Sequence, residues 1–534
     1  MRFFKIMSKI IAAVLTLSGC NAPAEMSSSV IYTENIIDGA STSQALEEDA
    51  TFSNECFIEL GNTVSINGKG AWIDDNCIKI SESGVYTVSG TLSDGMIYVE
   101  SEAVVKLILD NADIKNEDGP VIISESEKLI IKTAENSINS LKDSKDYSFL
   151  RDFENPEKHT SAIYSAGDLV LAGKGTLNIK SKHSDAVTSE GKLVLKESNI
   201  SIDAEDAGLV GTKGVLINNL KLNIISEKDC IKTGSSADAS VSINNSNIVL
   251  SSENNDGIQA ESMLFINGGT LDITTSGDID ADSELSSKGL KAGEIKLTDG
   301  SIKITSTDHS IKADGPIELS SGELTLSSSM GKGVSAEGAL TVNETNIAVL
   351  DAEEGLESKS TLTINSGDIT IRSRDDGINT GGDELSSDHS LNINGGSIFV
   401  NADGDGLDSN GNINISNGTV IVFGSEKNDN SALDCGDTGA SINISGGKVL
   451  ALGSLGMIKA PKDEYLFSGK LNAKKSDIIT VINADNIELF SVTAPKAAQS
   501  VIFSDSTAAE GYKILLNGAE TPLSEIKNMR GPRR

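Results

Sequence analysis

From about residue 160 the chain repeats one pattern at a period near 22 residues: short runs of alternating apolar and polar residues, closed by Gly, Asn or Asp corners. One copy is KGLKAGEIKLTDGSIKITSTD from Lys288, and another is EGLESKSTLTINSGDITIRSRD from Glu354. Aligning on the residue before each Gly- or Ala-led apolar position gives Asp185, Ala207, Asp229, Asp256, Lys288, His309, Lys332, Glu354, Asp376, Asp405 and Ser431. A few intervals are longer and hold loops. Strict alternation over such short runs marks strands with one buried face, and nothing in the repeat has helical periodicity. A fixed period of this length predicts an all-β coil, a parallel β-helix in which each repeat forms one rung. A leucine-rich repeat is excluded because no helical half accompanies the strands. An antiparallel sandwich would not need corners in constant registration. Ile295, Leu297, Ile302 and Ile304 are expected to point inward.

Rungs in such a coil stack about 4.8 Å apart, so aligned residues become columns on the surface. Asp376 and Asp405 then share one column, with Asp375 just ahead of it. Asn379, Asp408 and Asp434 share the column three residues on, and Asp403 and Asp437 flank them. Carboxylates near 5 Å apart repel by about 3 kcal/mol per pair at an effective dielectric of 20. A cation relieves that repulsion. Calcium takes six to eight oxygens at roughly 2.3–2.6 Å, which suits the rung spacing; magnesium wants a tighter octahedron, and zinc wants His or Cys. The predicted Ca2+ ligands are Asp375, Asp376, Asn379, Asp403, Asp405, Asp408, Asp434 and Asp437.

The competing reading is that aspartates at corners cap turns through the backbone. It suits the isolated Asp185, Asp229 and Asp256 best. An EF-hand is excluded in DADGDGLDSNGN: counting from Asp403, position five is Leu407 and position twelve is Asn414, so the bidentate Glu is missing. The glycine pattern of nonapeptide calcium repeats does not recur either.

A net charge of −34 argues against nucleic acid or an anionic membrane surface as a direct partner. It also repels acidic polysaccharides unless cations intervene. Five cysteines are too few for a disulfide framework. Cys56 and Cys77 could pair near the N-terminus, while Cys230 and Cys435 look like small buried residues of the stack.

The first residues, MRFFKIMSKIIAAVLTLSGC, place Arg2, Lys5 and Lys9 before or early in an apolar run ending on Leu17-Ser18-Gly19-Cys20. This reads as a secretory signal over residues 1–20. Its ending resembles a bacterial lipobox, which implies lipidation of Cys20. A Ser-, Ala-, Glu- and Thr-rich stalk is expected over 21–50, the β-helix over 51–460, and terminal rungs with a cap over 461–534. The expected protein is a monomer, exported and held at the bacterial envelope only through its lipid.

GVYTVSGTLSDGMIYV, KLILDNADI with GPVII, NSINSLKDSKDY, SAIYSAGDLVLAGKGTLNI, DDGINTGGDE and DGDGLDSNGNINISNG follow one another in order. Their succession, over roughly residues 60–460, resembles the bacterial carbohydrate-binding β-helix proteins, which are similar in fold to pectate lyases. The resemblance implies a right-handed parallel β-helix, calcium, and a plant-type polysaccharide such as polygalacturonate or cellulose.

A calcium-dependent lyase is the alternative. It needs a Lys or Arg base beside the metal and the proton alpha to a uronate carboxylate. Lys288, Lys291, Lys312 and Lys332 share the acidic columns, but lie two or more rungs from Asp376, about 10 Å or more by strand spacing. Neutralising neighbours such as Asp308 and Glu354 suits them better. Arg372 and Arg374 are nearer, yet alternation along ITIRSRDD can place both in solvent. No catalytic residue is assigned. Aromatic residues are scarce: Trp72, Tyr147, Phe149 and Phe153 are the visible candidates for sugar stacking, and packing is the expected role of each.

Overall fold

In the computed structural model, the described residues are 52–148, 158–277, 286–382, 389–436, 439–459, 461, 466–505 and 511–523. The signal, the stalk, Cys20, Phe149, Phe153 and Asp437 lie outside them. Every element among the described residues is a β-strand.

The repeat folds as three short strands per period, each in parallel register with the strand three places on. Ile378–Thr380 runs beside Leu356–Ser358 on one side and Leu407–Ser409 on the other. Ser390–Ile393 lies between Thr361–Ile364 and Asn412–Ile415. Ser397–Ala402 lies between Asp368–Ser373 and Thr419–Phe423. The same stacking begins well before the regular repeat, where Met96–Val99 pairs in parallel with Cys77–Ile80 and then with Ile122–Ser124.

Alternation decides which side chains go inside. Asp368–Ser373 alternates exposed and buried residues along its length. Ile295, Leu297, Ile302 and Ile304 are all buried at 2% exposure or less. One continuous apolar core runs from Cys56 to Ile502 and includes Cys230 and Cys435. Outside, asparagines lie in line where strands stack: Asn414 donates to Asn392 at 2.9 Å and accepts from Asn443 at 2.8 Å. Such ladders add a polar tie between successive rungs.

One expectation needs correcting. Among the described residues, the segment beyond 461 adds no further parallel rung. Ala498–Asp505 instead lies antiparallel to Lys448–Gly453, and Leu466–Ala473 lies antiparallel to Ala498–Asp505. Ile478–Ile482 then joins Glu488–Thr493 and Lys513–Leu516 in a separate antiparallel sheet. Without the evenly spaced corners of the repeat, this stretch turns back through antiparallel hairpins instead, as between Ile482 and Glu488. Its apolar residues pack instead with Phe423, Leu450 and Leu452, and against Phe399 and Ile421.

Cys56 and Cys77, whose pairing the sequence left open, are not paired, and both thiols are free and buried. Cys56 faces the main core, whereas Cys77 belongs to an outer cluster with Met96, Ile123 and Tyr164. The two side chains therefore sit on opposite sides of their sheet.

Candidate metal and glycan site

The register turns the sequence columns into neighbours. On the first strand of successive rungs, Lys291, Lys312, Ser335, Glu357, Asn379 and Asp408 stand one beside the next. A single parallel bridge, Leu407 to Leu433, carries this column on to Asp434. The corner before that strand carries Lys288, His309, Lys332, Glu354, Asp376, Asp405 and Ser431.

Corner aspartates have a structural duty that fits the capping reading. Each offers one carboxylate oxygen to the backbone N–H at the same corner of the next rung. Asp185 Oδ1 accepts from Ala207 at 3.0 Å, Asp229 from Asp256 at 3.1 Å, and Asp256 from Lys288 at 2.8 Å. Asp376 accepts from Asp405 at 2.7 Å, and Asp405 from Ser431. This commits Oδ1 of each carboxylate and leaves the charge to be balanced by something else.

Below the cluster, lysines balance it. Lys288 lies 2.5 Å from Asp308, and Lys332 lies 3.2 Å from Glu354 and 2.5 Å from Glu357, with Lys359 closing on Glu357 as well. With Lys291 3.9 Å from Asp256 and Lys312 paired to Glu337, all four lysines considered as bases are engaged by acids. Against the cost of burial, Lys332 and Lys359 hold the Glu357 carboxyl down at about 2.

Above them the lysines run out. No ion pair among the described residues reaches Asp376, Asp405 or Asp408. Burial, then the neighbouring carboxylates, push Asp376 up to about 8 although the Asp405 N–H opposes it. Burial and the charges of Asp434 and Asp408 raise Asp405 to about 7. Burial and Asp434 raise Asp408 to about 7 as well. Asp375 and Asp376 converge on Gly404: a Cβ there would stand 2.4 Å from one Oδ1 and 2.5 Å from the other. Only glycine leaves room for both carboxylates. Asn379 donates its amide to Glu354 at 3.2 Å.

The rim differs from the centre. Asp403 is largely exposed and pairs with Lys496 at 2.8 Å, and Asp434 pairs with Lys459 at 2.9 Å. Both lysines follow the last parallel strand, Lys448–Gly453, where no periodicity could reveal them. Arg374 is held by Asp351 at 2.6 Å and by the Ser328 carbonyl. It lines an open cleft of about 390 Å³ with Ser329, Met330, Glu353 and Asp375. Arg372 is exposed on the third strand of its rung.

The donor set at the centre is all oxygen and anionic, the chemistry that a hard cation such as calcium selects. Among the described residues, no three acidic, His or Cys side chains are arranged as a ready-made metal site. A cation there therefore requires the free carboxylate oxygens to turn toward it.

A family model described as carbohydrate-binding domain-containing protein matches residues 74–333 and 321–480. A carbohydrate-binding domain-containing protein of Acetivibrio thermocellus is 28% identical over 206 residues, covering 37% of this chain and 64% of that relative. The chain thus spans less than two thirds of the relative's length. A solved polysaccharide lyase-like protein from C. thermocellum, in its gadolinium derivative, is 24% identical with a TM-score of 0.33, covering 55% of this chain and 96% of that one.

Proposed function

The chain belongs to the carbohydrate-binding domain-containing proteins, and on that premise we propose that it binds an acidic plant-type polysaccharide, such as polygalacturonate, through calcium held at the Asp376–Asp405–Asp408 cluster. The observation that carries this reading is the break in charge compensation. Lysines neutralise the columns up to Glu357, then three neighbouring carboxylates follow to which no ion pair is made among the described residues. Asp376, Asp405 and Asp408 would hold the ion with the Asn379 side chain, and Asp375 stands beside them at Gly404. When bound, calcium supplies a positive centre that a uronate carboxylate can share. The protein's residues supply the rest: the backbone bonds to Oδ1 fix Asp376 and Asp405, and Lys459 and Lys496 hold the rim acids aside.

Parallel pairing three strands on, repeated along the described repeat, supports a right-handed parallel β-helix as the scaffold. We further propose that residues 1–20 direct export and that acylated Cys20 tethers the protein to the bacterial cell envelope. Replacing Cys20 by Ser should then release the protein from membranes.

Affinity electrophoresis in gels containing polygalacturonate tests the main reading. Retardation is expected with calcium and should vanish with chelator, and the double variant Asp376→Asn, Asp405→Asn should migrate freely in both. Equal calcium retention by wild type and double variant in equilibrium dialysis would sink the cation site.

A further inference from the structure

We propose that Trp72 and Tyr98 form a stacking subsite for a neutral glycan, on the outward face of the N-terminal strands. Ala71–Asp74 is antiparallel to Cys77–Ile80, with Trp72 opposite Lys79; Lys79 in turn stands beside Tyr98 of Met96–Val99. The three side chains share one face, because Ile78 and Ile80 take the alternate positions and fill the core. The expectation that Trp72 packs is not met. It is 41% exposed, next to Ile73 at 43%. An indole left in water costs apolar burial, and the faces of sugar rings are a natural partner for it.

The neighbouring ring is seated on an apolar cluster. Tyr98 is half-buried against the cluster of Cys77, Met96, Ile123 and Tyr164. Two strand spacings separate the two aromatic positions, roughly 10 Å, about the length of a disaccharide. Tyr147, by contrast, is used internally: it stacks on His183 at 3.9 Å and donates to Asp143 at 2.6 Å.

Charge selects the ligand class. Lys79 is held 2.8 Å from Asp74 and 3.6 Å from Glu100, so its ammonium is already matched by two carboxylates. Asp74 remains 62% exposed and Glu100 35%. A polyanion meets net negative charge here, whereas the hydroxyls of a neutral sugar meet acceptors. Thirteen parallel pairings separate Lys79 from Asp408 along the column, roughly 60 Å. The subsite therefore rests on polysaccharide binding by this chain, but not on the cation site.

Trp72 is the only tryptophan in the chain, so tryptophan emission reports on this position alone. The full-length protein is titrated with cellohexaose and with an oligogalacturonide, each in chelator, and run in gels containing hydroxyethylcellulose. A saturable emission change with cellohexaose and none with the oligogalacturonide is expected. Trp72→Ala should lose at least fivefold in apparent affinity for the neutral gel while keeping its calcium-dependent retardation in polygalacturonate. A flat emission titration with cellohexaose, or unchanged neutral-gel retardation of Trp72→Ala, overturns the subsite and leaves the cation reading intact. Absence of retardation in every glycan gel overturns both.

Discussion

The carboxylate of Asp376 accepts the backbone N–H of Asp405 at 2.7 Å, so a residue of the acidic cluster also fastens one rung to the next. Its charge and its hydrogen bond can be separated by substitution. Asp376→Asn keeps an acceptor oxygen and removes a repelled charge, so the chelated protein should be at least as stable as wild type in urea. Asp376→Ala also strands a buried N–H and should lose about 1–3 kcal/mol. Equal stability of the two variants would show that the bond does not matter.

Lys459 lies 2.9 Å from Asp434, and its charge also favours ionised Asp408. Lys459→Gln should therefore tighten calcium binding, roughly three- to tenfold at low salt, with the gain shrinking at high ionic strength. Calorimetric titration at two salt concentrations checks this. Weaker binding by the variant would mean that Lys459 orders the site rather than competing with the ion.

Glu357 sets a pH dependence. Its folded-state value of about 2 is depressed below the ordinary carboxylate range, so its stabilisation is fully present above the unfolded value and is lost as pH falls toward 2. Glu357→Gln leaves Lys332 and Lys359 without their shared partner and should cost about 3 kcal/mol at pH 7. The gap between wild type and variant should shrink to roughly half by pH 3 in urea unfolding curves. A gap that does not change with pH would assign the loss to packing.

The asparagine ladder is tested at Asn414, which donates to Asn392 and accepts from Asn443. Asn414→Ala should cost about 1–2 kcal/mol. Asn414→Asp should cost more, because an acceptor then faces the Asn392 oxygen. Thermal unfolding at neutral pH distinguishes the two variants.

The stacking of Asp376 on Asp405, and of Asn379 on Asp408, was legible in the sequence because registration at the corners is constant from rung to rung. The same constancy exposed the lysine columns and the buried places of Cys230 and Cys435. Lys459 and Lys496 were not legible. They reach the cluster from beyond the last parallel strand, where contacts follow antiparallel pairing and no period maps sequence onto space. Trp72 was misjudged for a related reason: burial at an outward position depends on what covers it, and alternation is silent about that. The capping bonds of the aspartates were also hidden, since composition does not reveal that one oxygen of a carboxylate is already engaged.

The strand Ala498–Asp505 runs against Lys448–Gly453 in the opposite direction to every rung beneath it. Parallel in-register stacking is the geometry by which identical chains add end to end into fibrils, and an unpaired parallel edge acts as a template for the next copy. Ala498–Asp505 takes up the free backbone groups of Lys448–Gly453 and is itself covered on its other side by Leu466–Ala473. A chain cut short after Gly453 would leave that strand's edge bare and offer other copies a surface on which to grow.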